Sequence, residues 1–498
     1  MTGAAVMTLL LGSCTGFLTV EPKTFMSPDN YFNNESEMED ATNGLYGAVS
    51  STLFTGLVAV NHTGWVMYEL LTGYHDRNYP YQQEVLGVHL PLLEDNTLVE
   101  YCWDHRYTSI NNCNNVIKGI ENSAATVSET VKNRCLAEAY ALRAYYYFGL
   151  VREFGPVPMT LLPTTDTKNI ALVPETEAKV YEQIVKDLQT AETLLSGTKM
   201  NPADGHIGLG AVKSILAKVY LTMAGYPLQD GSCWQKAYDK AKEVVKSGEY
   251  SLFENYSDLR IAEKENQGEW IFAVQHDPIY SQSGIHSALL PYGPNEIDAS
   301  SFSSNGVFGG SIVPTSQFIG TFTLGDKRAA EKGWFYSSWN GLEFTRPYIF
   351  KFFDESALAD GKSGEDFPII RYADILLVMA EAACKGGETT DADAIDAFWQ
   401  VRHRALPGYA KPSSIGFDDV YKERVWELCF EAQNWYDIIR TRKILDVANN
   451  RVVNMVGFKP IQHDVAFTAE DLYFPYPLSE TRLNENLKRQ YFGKNIPY

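Results

Sequence analysis

Apolar residues recur at every third or fourth position along most of the chain, which is the spacing of amphipathic helices. Between 134 and 154 the pattern includes Leu136, Tyr147 and Leu150, and Gly155 ends it. Similar stretches lie near 36–52, 98–120, 177–195, 208–224, 234–247, 368–384, 391–404 and 418–442. Because they come in close pairs joined by short turns, the sequence predicts a mostly α fold, a tetratricopeptide-like scaffold of helical hairpins, although that repeat's consensus is not visible.

Two long segments lack this period and are rich in Gly, Ser, Pro and aromatic residues. One lies between about 250 and 350 and contains "SQSGIHSALLPYGPNEIDASSFSSNGVFGGS"; the other, at 61–83, reads "NHTGWVMYELLTGYHDRNYPYQQ". Long irregular segments in a compact domain tend to be functional, because a rigid scaffold can present them to a ligand. We therefore predict a large irregular, loop-rich half beside the helical scaffold and look for ligand contacts there.

The composition is that of a globular, acidic protein. Of the 498 residues 45% are hydrophobic, and 42 Lys and Arg against 62 Asp and Glu give a net charge of −20. A phosphate backbone would meet net repulsion, so the charge argues against a nucleic-acid partner. Aromatic residues make up 13%, with 30 Tyr and 9 Trp, and this excess hints at a recognition surface.

The first fourteen residues, "MTGAAVMTLLLGSC", have the form of an export signal, because they are apolar, too short to span a bilayer and end in small residues. Leu11-Gly12-Ser13-Cys14 resembles the lipobox of bacterial lipoproteins, in which the cysteine becomes the acylated first residue. The basic region expected before it is missing, so the true start codon is open, and the alternative is an apolar N-terminus with a chance cysteine. We expect residues 1–13 to be a lipoprotein signal peptide and Cys14 to be lipidated.

The remaining cysteines include no C-x-x-C pair, so neither a zinc ribbon nor a thioredoxin-type motif is present. We predict that they are mostly buried thiols, and a disulfide between neighbours such as Cys102 and Cys113 stays open. They are Cys102, Cys113, Cys135, Cys233, Cys384 and Cys429.

Signatures of catalysis and cofactor binding are absent. G-x-S-x-G, H-E-x-x-H and H-x-x-x-H do not occur, and "GHIGLG" at 205–210 lacks the glycine spacing of a dinucleotide fingerprint. The charged pairs near the C-terminus have structural explanations: Arg371 and Asp374 suit an ion pair, and Glu423 with Glu427 needs cations nearby. We predict a protein that is not an enzyme and needs no cofactor, with a structural calcium ion in the loops left open.

Five separated stretches together resemble the SusD/RagB family of outer-membrane nutrient-binding lipoproteins from Bacteroidetes. In chain order they are "FLTVEP" (17–22), "EAYALRAYYYFGLVREFGPVP" (138–158), "PTSQFIGTFTLGDKR" (314–328), "RYADILLVMAEA" (371–382) with "VRHRA" (401–405) and "ERVWELCFEAQNWYDIIR" (423–440), and "YFPYPLSETRLNENLKRQ" (473–490). The match departs from the family at Trp399, Ala432 and Asn434, where Asn, Gly and Arg are usual. The residues after Cys14 lack the acidic cluster often associated with surface export, so the sequence supports lipidation more strongly than an outward-facing position.

The resemblance implies four tetratricopeptide-like hairpins packed against an irregular half. It divides the chain into the signal at 1–13, an N-terminal helical region at 14–250 and a C-terminal region at 251–498. It also implies a lipid-anchored protein of the outer membrane, facing the cell exterior, that captures oligosaccharides and delivers them to a partner SusC-like TonB-dependent transporter. Peptide capture, as in some branches of the family, is the alternative.

Within this resemblance the run Tyr145–Phe148 belongs to the scaffold, because aromatics on all sides of a helix cannot form one flat platform. A sugar instead needs an exposed aromatic face, flanked by polar groups that bind its hydroxyls. Two loop clusters satisfy this requirement, with local loop packing as the alternative for each residue. The predicted ligand-binding residues are Trp65, Tyr74, Asp76, Arg77, Tyr79 and Tyr81 in the first cluster and Tyr280, Tyr292, Phe308, Trp334 and Trp339 in the second.

Overall fold

The computed structural model describes residues 31–53, 64–77, 92–164, 171–285, 289–291 and 312–487. Its helices are α1 (Glu35–Asn43), α2 (Gly47–Leu53), α3 (Gly64–Leu71), α4 (Thr97–Asn122), α5 (Glu129–Phe154), α6 (Glu177–Leu194), α7 (Leu209–Ala224), α8 (Cys233–Lys246), α9 (Ser316–Ile319), α10 (Tyr372–Cys384), α11 (Ala392–Ala405), α12 (Phe417–Glu427), α13 (Asn434–Thr441) and α14 (Leu478–Leu483). Its strands are β1 (His75–Arg77), β2 (Trp270–Val274), β3 (Ile312–Pro314), β4 (Phe335–Trp339), β5 (Leu342–Ile349), β6 (Phe367–Arg371), β7 (Glu388–Thr389), β8 (Ile415–Gly416), β9 (Lys443–Asp446) and β10 (Arg451–Asn454). The strands pair antiparallel two by two, as β1–β3, β2–β6, β4–β5, β7–β8 and β9–β10.

The helices from α4 onward form a stack in which each packs against the next. α4 contacts α5, α5 contacts α6, and the series continues through α7 and α8 to α10, which also packs on α11 and α12. Local signals set the helix ends: the Asn96 side chain accepts the backbone N–H groups of Leu98 and Val99, and Gly155, with φ +72°, ends α5. The predicted mostly α, tetratricopeptide-like scaffold is confirmed.

Two predicted helical stretches divide in the structure. The stretch at 36–52 becomes α1 and α2, and that at 418–442 becomes α12 and α13. Between α12 and α13, Phe430 and Ala432 take positive φ values of 67° and 54°. The Phe430 carbonyl accepts the Trp65 indole N–H at 2.7 Å, and the Ala432 N–H donates to Glu69 at 2.8 Å. These bonds to α3 stabilise the break, which no local pattern could reveal.

The aromatic run in α5 lies in the core, as predicted. Tyr146, Tyr147 and Phe148 are buried, and Tyr145 is partly buried. The Tyr146 hydroxyl donates to the Leu45 carbonyl at 3.0 Å, and the Tyr147 hydroxyl donates to the Thr160 carbonyl at 2.8 Å. The run therefore packs helices together and offers no platform to a ligand.

Buried charges connect the C-terminal helices to the irregular half. The central group holds five cations and five anions: Arg328, Lys351, Arg371, Arg402 and Arg404 with Glu269, Asp326, Glu423, Glu427 and Glu431. A buried cation without an anionic partner would cost several kcal/mol of stability. The equal numbers of cations and anions in this group avoid that cost. The prediction that Glu423 and Glu427 need cations nearby is confirmed, because both accept hydrogen bonds from Arg328, at 2.7 and 2.9 Å.

The predicted ion pair between Arg371 and Asp374 is wrong. Arg371 pairs with the glutamates of the central group, whereas Asp374 pairs with Lys218 and Arg424. The two side chains diverge because Arg371 ends strand β6 while Asp374 lies on helix α10. Asp374 belongs to a second balanced group, which consists of Lys218, Arg424 and Arg440 with Asp374, Glu381 and Asp437.

The six cysteines beyond Cys14 are buried free thiols, in line with the prediction, and Cys102 and Cys113 form no disulfide. Cys14 itself lies outside the described residues. Within the described ranges, the model holds no helix of the length and apolar character that a membrane crossing requires.

Candidate ligand-binding face

Strands β1 and β3 join the two aromatic clusters singled out in the sequence. They pair antiparallel, with Asp76 opposite Val313 and Arg77 opposite Ile312, and β3 also packs against β5. β1 belongs to the first cluster, whereas β3 and β5 belong to the second. The two clusters, which lie far apart in the chain, therefore meet where β1 pairs with β3. We call the surface formed by β1, β3 and the β4–β5 hairpin the hairpin face.

The segment 335–349 was expected to be irregular, but it forms a paired β-hairpin, with one register shift between Tyr336 and Ser338, because of its turn. Asn340 and Gly341 have φ values of 48° and 81°, the two positive values that a type I′ turn requires. Asn-Gly between strands is a strong hairpin signal that the sequence analysis missed. Behind the hairpin lies a separate aromatic core, made of Leu290, Val313, Tyr336, Trp339, Tyr348, Phe350 and Phe353.

The outer part of β5 is exposed and polar. Glu343, Thr345 and Arg346 face solvent, and an Arg346 nitrogen lies 3.9 Å from an Asp76 carboxylate oxygen. Both of these side chains are about two-fifths exposed, and an ion pair this loose and wet contributes at most about 1 kcal/mol. Both side chains are therefore accessible to a polar ligand from solvent.

Tyr280 presents an exposed aromatic ring, 89% accessible, on a tight turn. The Asp277 carboxylate accepts the backbone N–H groups of Ile279 and Tyr280, both at 2.8 Å, and Asp277 and Ser281 exchange two backbone hydrogen bonds. Ser283 then donates its N–H to the Ser363 carbonyl. These bonds hold the turn, so the ring is displayed rather than folded inward.

Carboxyl groups with raised pKa values lie where this turn leaves β2. Asp366 accepts the backbone N–H of His276 at 2.7 Å, and its own N–H donates to Glu265 at 2.9 Å. Burial, with the neighbouring Glu265, raises the pKa of Asp366 to about 8, and burial, with Asp354, raises that of Glu265 to about 7. Burial also raises the pKa of Glu365. At neutral pH Asp366 is therefore mostly protonated, whereas Glu265 is protonated about half of the time.

Four of the predicted ligand-binding aromatics are buried, so the expectation of an exposed ring is wrong for Trp65, Tyr74, Trp334 and Trp339. Trp65 lies on α3, a helix buried on all sides, and it donates to Phe430. Tyr74 stacks on Phe318 and accepts the Leu445 N–H at 3.0 Å.

Trp334 and Trp339 are also buried, because both large aromatic rings pack into hydrophobic cores. Trp334 donates its indole N–H to the Trp426 carbonyl at 3.3 Å, and the Lys351 ammonium lies 4.3 Å from its ring. Trp339 packs in the aromatic core behind the hairpin.

The other predicted residues divide into three groups. Asp76 and Tyr280 reach solvent, as expected of ligand contacts. Arg77 lies in β1, but its side chain is outside the described part of the chain. Four predictions fall wholly outside the described residues, namely Tyr79, Tyr81, Tyr292 and Phe308.

The sequence analysis did not single out Arg346, which the Asn-Gly hairpin signal could have placed on a strand beside the turn. Metal binding has no support in the described ranges, where no group of three or more His, Cys, Asp or Glu side chains could hold an ion.

Comparison with known proteins identifies two family matches. The family described as "SusD family" matches residues 334–493, and one described as "Starch-binding associating with outer membrane" matches residues 17–221. A SusD-like protein from Bacteroides ovatus is 27% identical, over 90% of this chain and 84% of its own length. A surface glycan-binding protein A from Bacteroides thetaiotaomicron, solved with laminarihexaose, has the same fold, with a TM-score of 0.73 at 17% identity over 91% of this chain and 98% of its own.

The crystal structure of a SusD superfamily protein from Parabacteroides distasonis is similar at the level of both sequence and fold. It is 30% identical, covers 91% of this chain and 98% of its own, and superposes with a TM-score of 0.82. The matching families are described as the SusD family and as starch-binding, and neither description names a catalytic activity, in line with the prediction that the chain is not an enzyme. Family models match both halves of this chain, and the chain is similar over nearly its whole length to the Parabacteroides distasonis protein. This chain therefore belongs to the SusD family.

Proposed function

We propose that the protein binds oligosaccharides at the hairpin face and delivers them to a SusC-like TonB-dependent transporter of the outer membrane. The observation that carries the proposal is the pairing of β1 with β3, which joins the two loop clusters at one edge. The glycan complex of a protein with the same fold supports it, as does the starch-binding description of the matching family.

The exposed groups suit a sugar. The Tyr280 ring offers a flat apolar surface on which the C–H face of a pyranose can stack, while Asp76 accepts and Arg346 donates hydrogen bonds to hydroxyl groups. Leu290, ten residues beyond Tyr280, packs in the core behind the hairpin and so ties the two regions to the same half of the molecule. Accessible polar groups on the hairpin face and an exposed aromatic ring in the same half of the molecule are what a hydroxyl-rich ligand requires.

Attachment to the outer membrane would come from a lipid on Cys14, with the ligand-binding half facing the cell exterior. Support for this part comes from the lipobox-like Leu11-Gly12-Ser13-Cys14 and from the description of the family as associating with the outer membrane. Metabolic labelling with a fatty-acid analogue, compared between the full chain and Cys14→Ala, tests it directly.

Isothermal titration calorimetry of the purified protein against a panel of oligosaccharides tests ligand binding. We expect saturable binding to at least one glycan, weakened about tenfold by Tyr280→Ala, since one aromatic stacking contact contributes about 0.5–1.5 kcal/mol. Arg346→Ala should also weaken binding. Leu324→Ala is the matched control, because Leu324 is 99% exposed but lies in the loop beside α11.

Two results would refute the proposal. Binding that falls equally, or not at all, in the Tyr280, Arg346 and Leu324 variants would remove the hairpin face as the site. A folded protein that binds extended peptides but no glycan would assign the chain to peptide capture.

A further inference from the structure

The helical scaffold carries a groove that is separate from the hairpin face. It lies between α4, the segment 158–164 and the C-terminal segment that contains α14, and its volume is about 900 Å³. Trp103, Met159 and Leu487 are among the apolar residues that line it. A cavity of this size can take a peptide of several residues.

Hydrogen bonds hold the walls of the groove in place. Tyr107 donates to the Pro158 carbonyl at 2.7 Å, and Asn114 donates to the carbonyls of Thr160 and Leu162 at 3.1 and 3.2 Å. Asn484 donates to the Leu172 carbonyl at 2.8 Å. The groove is therefore preformed and does not depend on a ligand for its shape.

Apolar side chains are nonetheless exposed along this groove. Leu162, held in place by the bond from Asn114, is 68% exposed, and Leu161 beside it is 36% exposed. Val173 and Leu483, each next to a lining residue, are 64% and 69% exposed. Exposed apolar side chains in the wall of the groove and next to its lining residues mark a site that something covers.

The groove is also acidic. Asp104 and Glu480 line it, and Glu100 lies one helical turn from Asp104. Burial raises the pKa of Glu480, and the charges of Asp104 and Glu100 raise it further. Among the described residues, no cation lies within ion-pair distance of these carboxylates. An occupant with positive charge and apolar side chains would relieve both the repulsion and the exposure.

The residues that follow Leu487 have this chemistry. The segment 488–498, "KRQYFGKNIPY", carries Lys488, Arg489 and Lys494 and no acidic side chain, in a chain whose net charge is −20. It also contains four large apolar or aromatic residues, Tyr491, Phe492, Ile496 and Tyr498. Leu487 itself lines the groove, and eleven residues can extend about 35 Å, so reach does not limit the contact.

We propose that residues 488–498 of this chain bind in the groove between α4, residues 158–164 and α14, with their cations beside Asp104 and Glu480 and their aromatic side chains over Leu161 and Leu162. The segment then covers the exposed apolar surface of the scaffold and fastens the end of the described chain to it. A second copy of the chain or a basic segment of another protein would be the competing occupant.

Site-specific labelling tests whether the segment covers the groove. A single reactive thiol is introduced as Leu162→Cys in a chain carrying Cys14→Ser, because the other six cysteines are buried. We expect the maleimide labelling rate to rise several-fold when residues 488–498 are deleted, or when Lys488 and Arg489 are both replaced by Glu in the full-length chain. If circular dichroism shows that the shortened chain does not fold, the second variant still tests the proposal.

A fluorescent peptide of the sequence 488–498 provides the complementary measurement. It should bind the shortened chain saturably and the full chain at least tenfold more weakly, and Glu480→Lys in the shortened chain should abolish binding. Glu254→Lys, which reverses an exposed charge away from the groove, is the matched control. Equal labelling rates with and without the segment, protection that depends on protein concentration, or peptide binding that Glu480→Lys leaves unchanged would each overturn the proposal.

Discussion

Replacement of Glu427 by Gln is the sharpest test of the buried charge network. Its carboxylate accepts hydrogen bonds from Arg404 at 2.7 Å, Arg328 at 2.9 Å and Arg371 at 3.1 Å. Burial alone would raise its pKa, but the charges of Arg404, Arg371 and Arg328 outweigh burial and lower the pKa to about 2. Glu427 is therefore charged at neutral pH, and Gln keeps its shape while removing the charge and replacing one accepting oxygen with a donating NH2 group.

The expected loss follows from the charge balance. Without Glu427 the five cations of the central group face four carboxylates, and all of these side chains are buried. Removal of one partner from a buried ion pair costs about 3–5 kcal/mol, out of a total stability of about 5–15 kcal/mol. We expect Glu427→Gln to lose about 3–5 kcal/mol of the free energy of unfolding.

Urea unfolding followed by circular dichroism measures this loss. Lys246→Gln is the control, because Lys246 pairs with Asp393 at 2.9 Å on the surface, where such a pair contributes at most about 1 kcal/mol. Addition of Arg404→Met to Glu427→Gln restores the balance and should recover part of the stability. A loss for Glu427→Gln no larger than that of the control would refute the argument that charge balance holds the two halves together.

Three further predictions follow from the packing and from the raised pKa values. Trp65→Ala should lose about 3–5 kcal/mol of stability, measured by urea unfolding, because it opens a cavity and leaves the Phe430 carbonyl without its indole donor. Gly149→Ala should lose about 1–3 kcal/mol in the same assay, since the added methyl group would collide with the Arg106 guanidinium; no loss would show that α5 can shift. Because the folded-state pKa of Asp366 is raised to about 8, its stabilising contribution is complete below about pH 4 and is lost as the pH rises through 8. Thermal unfolding between pH 5 and 9 should therefore show a falling stability that Asp366→Asn flattens, and an unchanged slope in that variant would contradict the assignment.

The helical scaffold could be predicted because its signals are local. The spacing of Leu136, Tyr147 and Leu150 and the stop at Gly155 lie within one segment, and α5 matches them. The break between α12 and α13 could not be predicted in this way, because it depends on Trp65 and Glu69, which lie far away in the chain. Local patterns specify elements, whereas tertiary hydrogen bonds decide where an element is interrupted.

The candidate site was predicted less well, because loop composition does not reveal which way a side chain points. Trp65 and Trp334 lie in segments with the same Gly- and aromatic-rich composition as that of Tyr280, yet both are buried and Tyr280 is 89% exposed. The two buried tryptophans differ from Tyr280 in having a buried partner for the indole N–H. Trp65 donates to the Phe430 carbonyl, and Trp334 donates to the Trp426 carbonyl. Such partners become visible only when the fold is known.

The residues that carry the family resemblance are not those proposed to contact the ligand. Arg328, Arg371 and Arg404 lie in two of the five stretches that carry the resemblance, and all three are buried in the central charge group. A change in any of them would unbalance the group, so the motif describes what the scaffold needs to fold. Arg346 and Tyr280 lie outside every one of those stretches and face solvent, where substitution costs little stability. In this chain the stretches that carry the resemblance hold the charge network and the residues proposed to contact the ligand lie elsewhere, which is why the sequence identifies the scaffold but not the ligand.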